Sequence, residues 1–232
     1  MMSTVNSRIA IIAALPREIA ELVRGLPADA ALRRQGIYLY RLPKAVVVAA
    51  GMGSARAELA VQTALAESNV ELLISTGLAG SCVPALQPSE VVEAGIVVDG
   101  QTGTRYATVD GSDLVLVSAA TIAGVREKAR LSRCYLASMV DMEAATVARL
   151  AVEKGLQFRA IKAISDAHDF EFAWESTAPF ASFADEHGHF RTRAFALHIA
   201  LRPRYWNQAI KLGRNSKLAL SRLHESLRVL IS

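Results

Sequence analysis

Short apolar runs alternate along this chain with longer segments in which apolar residues recur at helical spacing. Buried strands are predicted at residues 9–14, 45–50, 72–76 and 158–164. Helices are predicted at residues 54–67, 121–131 and 144–154. Strands that alternate with helices are typical of α/β proteins with a largely parallel central sheet. We therefore predict an α/β fold, a single-domain three-layer α/β/α sandwich over residues 1–232.

Other strands predict that the central sheet is mixed. Residues 37–42 form a strand that pairs with residues 45–50 around Pro43. Further strands are predicted at residues 90–98, 104–108, 114–118 and 136–140. The first three of these follow one another without a long helix between them, which argues against a purely parallel sheet.

Two further helical regions are predicted. Pro16 suits the first turn of a helix, which residues 18–26 continue. From Pro179 onward the chain is mostly helical, with breaks near Gly188 and Pro203.

The C-terminal segment, at about residues 190–232, is strongly basic. It holds nine Arg or Lys residues and one acid, Glu225. A solvated helix face is the simplest explanation of such a segment. The alternative is a surface for anionic lipid, which would give peripheral membrane contact, or for nucleic acid. Aromatic residues are not regularly interleaved, so no nucleic-acid partner is predicted.

The composition bears on assembly and location. Hydrophobic residues make up 52% of the chain and the mean hydropathy is +0.26, so we expect a homodimer or larger homo-oligomer that buries apolar surface. No apolar run is long enough for a transmembrane helix, and residues 1–8 lack the order of a signal peptide. Cys82 and Cys134 form no C-x-x-C motif. A cytoplasmic protein with idle thiols is expected.

Glycines follow two of the predicted strands. Gly51-Met52-Gly53 begins like a dinucleotide-binding fingerprint, but residue 56 is arginine where the third glycine belongs, so NAD is not predicted. Gly77-Leu78-Ala79-Gly80 follows another strand. Glycine lets the backbone approach a ligand closely because it has no side chain. Tight strand-to-helix turns explain both stretches equally well.

Acidic residues also lie at the predicted strand ends. Asp141 and Glu143 suit a helix start, because Asp is a favoured N-cap and Glu in the first turn favours the helix dipole. Asp166 follows the strand at residues 158–164, and Glu18 follows the first strand. The carboxyl ends of strands form the ligand site in open α/β folds. Converging carboxylates suit general acid and base work, because burial and repulsion keep one protonated and another ionised.

Other catalytic motifs have little support. The His-x-His pair in residues 185–189 lacks a third ligand at a recognised distance, so no metal is predicted. No G-x-S-x-G and no P-loop motif occurs. No cofactor is predicted.

Five stretches together resemble the family of nucleoside phosphorylases and nucleosidases that includes methylthioadenosine/S-adenosylhomocysteine nucleosidase. Their order and spacing match over residues 9 to about 168, in the stretches at residues 11–18, 50–53, 75–80, 140–145 and 162–166. The resemblance implies a nucleoside-phosphorylase-like fold and a purine nucleosidase that releases adenine from a 5′-modified nucleoside.

The resemblance also implies roles for single residues. Glu143 matches the acid that holds the ribose hydroxyls, and Met142 matches the residue that packs against the sugar. Asp166 matches the acid that protonates purine N7, and Glu18 matches the residue that activates water. Asp141 keeps its structural interpretation as the N-cap. The same stretches assign substrate binding to Met52, Gly53, Gly77, Leu78, Ala79, Gly80, Lys162 and Ser165.

The choice of nucleophile follows from position 18. Phosphorylases of the family have arginine there and at the position of Ser75, whereas Glu18 would repel phosphate, so water is favoured. Arg17 and Arg56 keep phosphate open as the alternative. Leu78 replaces a hydroxyl residue, and Lys162 replaces an arginine. A phosphate-dependent phosphorylase and a non-catalytic nucleoside-binding homologue are therefore the alternative hypotheses.

The segment at residues 118–131 bears on the substrate. Familiar nucleosidases keep an aromatic residue there that stacks on the base, but this segment has none. In this respect, and in its basic C-terminal segment, the chain resembles the hopanoid-associated branch, whose members remove adenine from adenosylhopane. A lipid substrate would give the basic segment a role at an anionic membrane surface.

Overall fold

A ten-stranded sheet forms the centre of the protein in a computed structural model that describes residues 8–174 and 180–231. Its strands are β1 (Ile9–Ala13), β2 (Tyr38–Arg41), β3 (Ala45–Ala49), β4 (Leu72–Ser81), β5 (Val91–Ala94), β6 (Ile96–Asp99), β7 (Arg105–Ala107), β8 (Val115–Ser118), β9 (Met139–Asp141) and β10 (Gln157–Asp166). The strand order is β2-β3-β1-β4-β9-β8-β6-β7, and β10 pairs with β4 and β5. Parallel pairs such as β1–β4 and β4–β10 lie beside antiparallel pairs such as β4–β9, so the predicted mixed sheet is confirmed.

Helices cover both faces of the sheet. They are α1 (Ala30–Arg33), α2 (Ser54–Glu67), α3 (Val125–Tyr135), α4 (Ala144–Glu153), α5 (Thr192–Ala200) and α6 (Trp206–Ile231). Short 3-10 helices lie at Pro16–Glu18, Phe180–Phe183 and Pro203–Tyr205. Side chains alternate between the faces of a strand. Ala10 and Ile12 therefore pack with α2 and α4, whereas Ile11 packs with α6. This arrangement confirms the three-layer α/β/α sandwich.

The helix predicted over residues 18–26 is wrong. Only the 3-10 helix at Pro16–Glu18 forms, and turns continue to Gly25, which has a φ of +82°. The Glu18 side chain accepts hydrogen bonds from the amides of Ala14 and Leu15, at 3.0 and 2.9 Å. These bonds hold the carboxylate at the strand end, which a regular surface helix would not do.

The glycine stretch at residues 77–80 does not end its strand. β4 continues to Ser81 because β10 pairs with it through Gly80, so the strand-to-helix turn offered for this stretch is wrong. The predicted strand at residues 90–98 is divided at Gly95, where a Cβ would lie 1.7 Å from the Ser112 carbonyl oxygen. This close packing breaks the run into β5 and β6.

Two predicted boundaries in the middle of the chain shift. α3 begins after Gly124 rather than at residue 121, and Leu136 ends it in a left-handed conformation with a φ of +58°. β9 therefore begins only at Met139. The C-terminal region is mostly helical as predicted, with interruptions at Gly188 and Pro203.

Residues 1–7, where no signal peptide is predicted, lie outside the described residues, as do residues 175–179. Within the described ranges, no helix is both long and apolar enough to cross a membrane.

Candidate active site

A cavity lies at the carboxyl ends of β1, β4, β9 and β10. Carboxylates from three of these regions line it: Glu18 after β1, Asp141 and Glu143 at the end of β9, and Asp166 at the end of β10. The structure thus brings together the acids that the sequence places at separate strand ends.

Glu18 is almost completely buried, at 5% exposure. Besides its bonds from Ala14 and Leu15, its Oε1 accepts a hydrogen bond from the Leu78 amide at 3.3 Å. The Glu18 carbonyl oxygen lies 2.9 Å from Nε2 of His224, a buried residue of α6 whose pKa burial lowers. Contacts from β4 and α6 therefore fix both the side chain and the backbone of Glu18.

Glycines in β4 make room for the carboxylates. A Cβ at Gly77 would lie 2.9 Å from Glu18 Oε2, and a Cβ at Gly80 would lie 2.9 Å from Asp166 Oδ2. Gly77 also has a φ of +128°, which side chains rarely adopt. The sequence predicts that a ligand approaches the backbone closely at these glycines. In the structure, the groups that approach it are the protein's own acidic side chains.

Glu143 lies between two helix starts. Its Oε1 accepts a hydrogen bond from the amide of Gly53, the residue before α2, at 2.7 Å, and its Oε2 accepts one from the Met142 amide at 3.3 Å. Burial, reinforced by the negative charge of Asp141, raises the pKa of Glu143 to about 7. Lys162 and the Gly53 amide oppose this shift. Near neutral pH this group can therefore exchange a proton.

Asp141 performs a capping role from a different position than predicted. The N-cap of α4 is Glu143, and the expectation that Asp141 occupies that position is wrong. The Asp141 carboxylate instead reaches forward to the Ala144 amide, at 3.0 Å, and accepts a hydrogen bond from Ser118 Oγ at 2.6 Å. Because β9 continues to Asp141 itself, this residue lies two positions before the N-cap, and its side chain satisfies a first-turn amide of α4 from there.

Lys162 is buried behind this group. Its Nζ lies 2.8 Å from Asp141 Oδ2 and donates to Ser75 Oγ at 3.0 Å and to the Thr76 carbonyl at 3.3 Å. Its side chain is 1% exposed. Lys162 does not line the cavity, and neither do Gly53 and Gly77. Among the predicted substrate-binding residues, those that do line it are Met52, Leu78, Ala79, Gly80, Met142, Glu143 and Ser165.

Asp166 has two buried partners. The Ser165 hydroxyl donates to its Oδ1 at 2.5 Å, and the ammonium of Lys128 forms an ion pair with its Oδ2. The Lys128 side chain is 1% exposed, although it comes from α3, which is rich in charged residues. Sequence reasoning missed Lys128, because a lysine between Glu127 and Arg130 on a predicted helix indicates only a solvated face.

Aromatic residues reach the cavity from segments that the sequence did not single out. Phe172 and Phe190 line it, together with Ile122, which belongs to the segment at residues 118–131 that contains no aromatic residue. Lys128 Nζ lies 5.7 Å from the centre of the Phe172 ring. Leu212 and Ser216 of α6 also contribute, so the basic C-terminal segment forms part of the wall. No local pattern near Phe172 or Phe190 signals this role.

The cavity is poor in free cations. Of the described residues that line it, Arg17 and Lys128 are the cationic ones, and Lys128 is paired with Asp166. Arg17 is exposed, with its guanidinium 5.7 Å from the centre of the Phe190 ring. In the described parts of the chain, no group of three or more His, Cys, Asp or Glu residues could hold a metal ion. The Asp185 carboxylate instead accepts the amides of His187 and His189.

The sheet and its cavity define an α/β protein in which four carboxylate residues line a candidate site, an arrangement that suits acid–base chemistry on a small molecule. A model of the phosphorylase superfamily matches residues 8–123 and 114–201. The chain belongs to the phosphorylase superfamily. This membership confirms the predicted family and the expected class of enzyme, a nucleosidase or nucleoside phosphorylase.

Solved structures of similar fold include futalosine hydrolase of Helicobacter pylori, with 20% identity, a TM-score of 0.60 and coverage of 72% of this chain and 88% of that one. A mutant methylthioadenosine/S-adenosylhomocysteine nucleosidase of H. pylori, with 5′-methylthioadenosine in its active site, has 18% identity, a TM-score of 0.61 and coverage of 74% and 90%. S-adenosylhomocysteine nucleosidase of Streptococcus pyogenes has 21% identity, a TM-score of 0.59 and coverage of 72% and 88%. Curated protein sequences gave no significant match.

Proposed function

We propose that the protein is a purine nucleosidase that hydrolyses the N-glycosidic bond of a 5′-modified adenosine and releases adenine. The observation that carries this proposal is the convergence of Glu18, Glu143 and Asp166 on one cavity. Cleavage of this bond passes through an oxocarbenium-like state. It therefore needs a proton for the departing base and negative charge near the sugar.

Asp166 is the proposed acid at the base. Its carboxylate lies in the cavity wall beside Ser165, which orients it through the 2.5 Å hydrogen bond. A proton delivered to purine N7 draws electrons from the glycosidic bond and makes adenine a better leaving group. Phe172 and Ile122 supply apolar surface for the base in the same cavity.

Glu143 and Met142 are the proposed sugar-binding residues. The ionised Glu143 carboxylate accepts hydrogen bonds from the ribose hydroxyls and places negative charge near the developing oxocarbenium ion. The Gly53 amide orients it at 2.7 Å. Met142 and Met52 line the cavity with flexible apolar surface suited to a sugar face.

Glu18 is the proposed base that activates water. Its carboxylate is positioned by the amides of Ala14, Leu15 and Leu78 and lines the cavity. Water attacks C1′ through its oxygen, its proton passes to Glu18, and the glycosidic electrons leave with the base. An anionic group at this place disfavours phosphate.

Two further observations support water over phosphate. Ser75, at the position where phosphorylases of the family have arginine, is buried and bonded to Lys162 behind the cavity wall. Lys162 is itself occupied by Asp141. Arg17, at the exposed rim, is the cavity-lining cation through which the phosphate-dependent alternative would have to act.

An apolar 5′ substituent suits the cavity. Phe190 and Leu212 line it, and Leu212 belongs to α6, which also carries an exposed patch of Ile210, Lys211, Arg214, Lys217 and Leu218. We call this set the α6 patch. A lipid-linked adenosine such as adenosylhopane fits this combination, because exposed apolar side chains flanked by cations suit an anionic membrane surface. A similar structure holds 5′-methylthioadenosine, which supports the same substrate class.

The test is release of adenine from 5′-methylthioadenosine by the wild type and by Asp166→Asn. Asn cannot donate a carboxylic proton, so we expect kcat to fall by about 10²–10⁴-fold. Asp169→Asn is the matched control, because Asp169 is exposed and three residues away. Wild-type activity in Asp166→Asn would contradict the proposal that Asp166 protonates the base. Tight nucleoside binding by the wild type without base release would favour the non-catalytic alternative.

Homo-oligomer formation and a cytoplasmic location stay predictions. Light scattering after size-exclusion chromatography tests the first. A mass of one 24.9 kDa chain at micromolar concentration would contradict it.

A further inference from the structure

We propose that Lys128 is a positioning residue that acts through Asp166, orienting its carboxylate and stabilising the negative charge that remains on it when Asp166 passes a proton to the base. This inference rests on the proposed function. It goes beyond the family motifs, because Lys128 lies in a segment that none of the five stretches includes.

The geometry fixes the ammonium group of Lys128. Nζ forms an ion pair with Asp166 Oδ2, donates to the Ala167 carbonyl at 2.8 Å and lies 5.7 Å from the centre of the Phe172 ring. Lys128 also lines the cavity. A Cβ at Gly80 would lie 3.0 Å from Lys128 Cε, so this glycine leaves room for the lysine stem as well as for Asp166.

A purely structural ion pair is a poor explanation of this arrangement. Burying a lysine and a carboxylate carries a large desolvation cost, and replacing such a pair by apolar residues is often neutral or stabilising. In the pair of Lys162 and Asp141, by contrast, Asp141 lines the cavity but Lys162 does not. Lys128 and Asp166 both line the cavity, at the point where the proposed chemistry needs a proton.

The proton balance of the reaction closes through Asp166, Glu18 and solvent. As the glycosidic bond breaks, N7 gains a proton from the Asp166 carboxyl. The ammonium of Lys128 then stabilises the negative charge of the resulting carboxylate. Asp166 takes the proton for the next cycle from solvent. The proton that water gives to Glu18 returns to solvent. Each cycle therefore consumes one water molecule and no other reagent.

The test compares Lys128→Met, which removes the charge, with Lys128→Arg, which keeps it. Two substrates are used: 5′-methylthioadenosine, whose base needs protonation, and 4-nitrophenyl β-D-ribofuranoside, whose phenolate leaves without it. For adenine release we expect kcat of Lys128→Met to fall about 10²-fold or more. For nitrophenolate release we expect a change of less than about threefold. Lys128→Arg should recover most of the loss.

The pH profile gives an independent readout that does not depend on the aryl substrate. Loss of the positive charge beside Asp166 favours its protonated form, so the alkaline limb of the pH profile of the remaining adenine release should move to higher pH. A merely structural role would leave the shape of the profile unchanged.

Each outcome decides between explanations. Equal losses on both substrates with an unchanged pH profile would overturn the role of Lys128 and leave only a structural pair. Unchanged adenine release in Lys128→Met would overturn it as well. A wild-type protein that releases no base from any 5′-substituted adenosine would instead contradict the proposed function, and with it this inference.

Discussion

The Glu18 carboxylate lies so close to Gly77 that a methyl group on this glycine would come within 2.9 Å of Oε2. The two residues are far apart in the sequence, and they meet because β1 and β4 are parallel neighbours whose carboxyl ends share one edge of the sheet. A residue without a side chain in β4 therefore controls where the proposed base stands.

Gly77→Ala should displace Glu18 and lower kcat by about 10²-fold, because small misplacements of catalytic groups have effects of this size. The φ of +128° adds backbone strain of about 1–3 kcal/mol, measurable by urea denaturation. Gly213→Ala is the control, because an added Cβ there meets nothing within 4 Å. It lies within α6 and should gain up to about 1 kcal/mol with no change in kcat. Wild-type kcat in Gly77→Ala would contradict the positioning of Glu18.

Binding of a nucleoside should release a proton from Glu143. In the free protein the pKa of Glu143 is about 7, because burial and Asp141 disfavour its charge. Ribose hydroxyls donate to the ionised form and lower that pKa, so proton release should be large near pH 6 and small above pH 8. The apparent Kd should accordingly rise as the pH falls below about 7.

Calorimetry in buffers of different ionisation enthalpy measures this release. A 7-deaza-adenosine derivative is a suitable ligand, because it lacks N7 and resists cleavage. Glu143→Gln should abolish the pH-dependent release. Binding at pH 6 without proton release would show that Glu143 does not meet the ribose as a carboxylate.

The ion pair between Lys162 and Asp141 should be important for stability. Lys162→Met leaves a buried carboxylate without its cation, which typically costs about 3–5 kcal/mol. The double variant with Asp141→Asn should lose less than the sum of the single losses, because both changes break the same contact. Urea denaturation of the four proteins gives the coupling energy. Strict additivity would mean that the pair contributes nothing.

Much of the fold could be predicted because apolar periodicity determines which strands and helices are buried. β1 and β3 are nearly continuous apolar runs, and α2 and α4 present apolar stripes. The boundaries at residue 77 and in residues 18–26 could not be predicted, because they depend on contacts between distant segments. Gly77 stays in β4 through pairing with β10, and residues 18–26 do not form a helix because Glu18 turns toward the cavity.

The residues of the candidate site fall into the same two groups: those that the sequence indicates, and those that only tertiary packing brings to the cavity. Glu18, Glu143 and Asp166 are recognisable because they stand at strand ends, where the chain order itself indicates a shared edge. Lys128 and Phe172 are not recognisable, because Lys128 belongs to a charge-rich helix and Phe172 belongs to a segment without any motif, and each enters the cavity through tertiary packing. Lys162 is the opposite case: its motif predicts substrate binding, but its side chain lies behind Asp141 and does not line the cavity.

Anionic lipid vesicles test the α6 patch. We expect the wild type to sediment with vesicles that contain phosphatidylserine and to be released by added salt, because each basic residue near such a surface contributes about 1 kcal/mol. Arg214→Glu should weaken this binding several-fold. Lys154→Glu, at the end of α4 on the opposite layer, makes the same charge change and should not. Equal weakening by both variants would indicate a general charge effect.

The most direct test of the central claim is product analysis in ¹⁸O-labelled water with and without phosphate. With 5′-methylthioadenosine as substrate, we predict adenine release at the same rate in both buffers, and one ¹⁸O atom at C1 of the sugar product. Glu18→Gln should slow this release, and it should not create a requirement for phosphate. Release that requires phosphate and yields a sugar 1-phosphate without ¹⁸O would contradict hydrolysis and make the protein a phosphorylase.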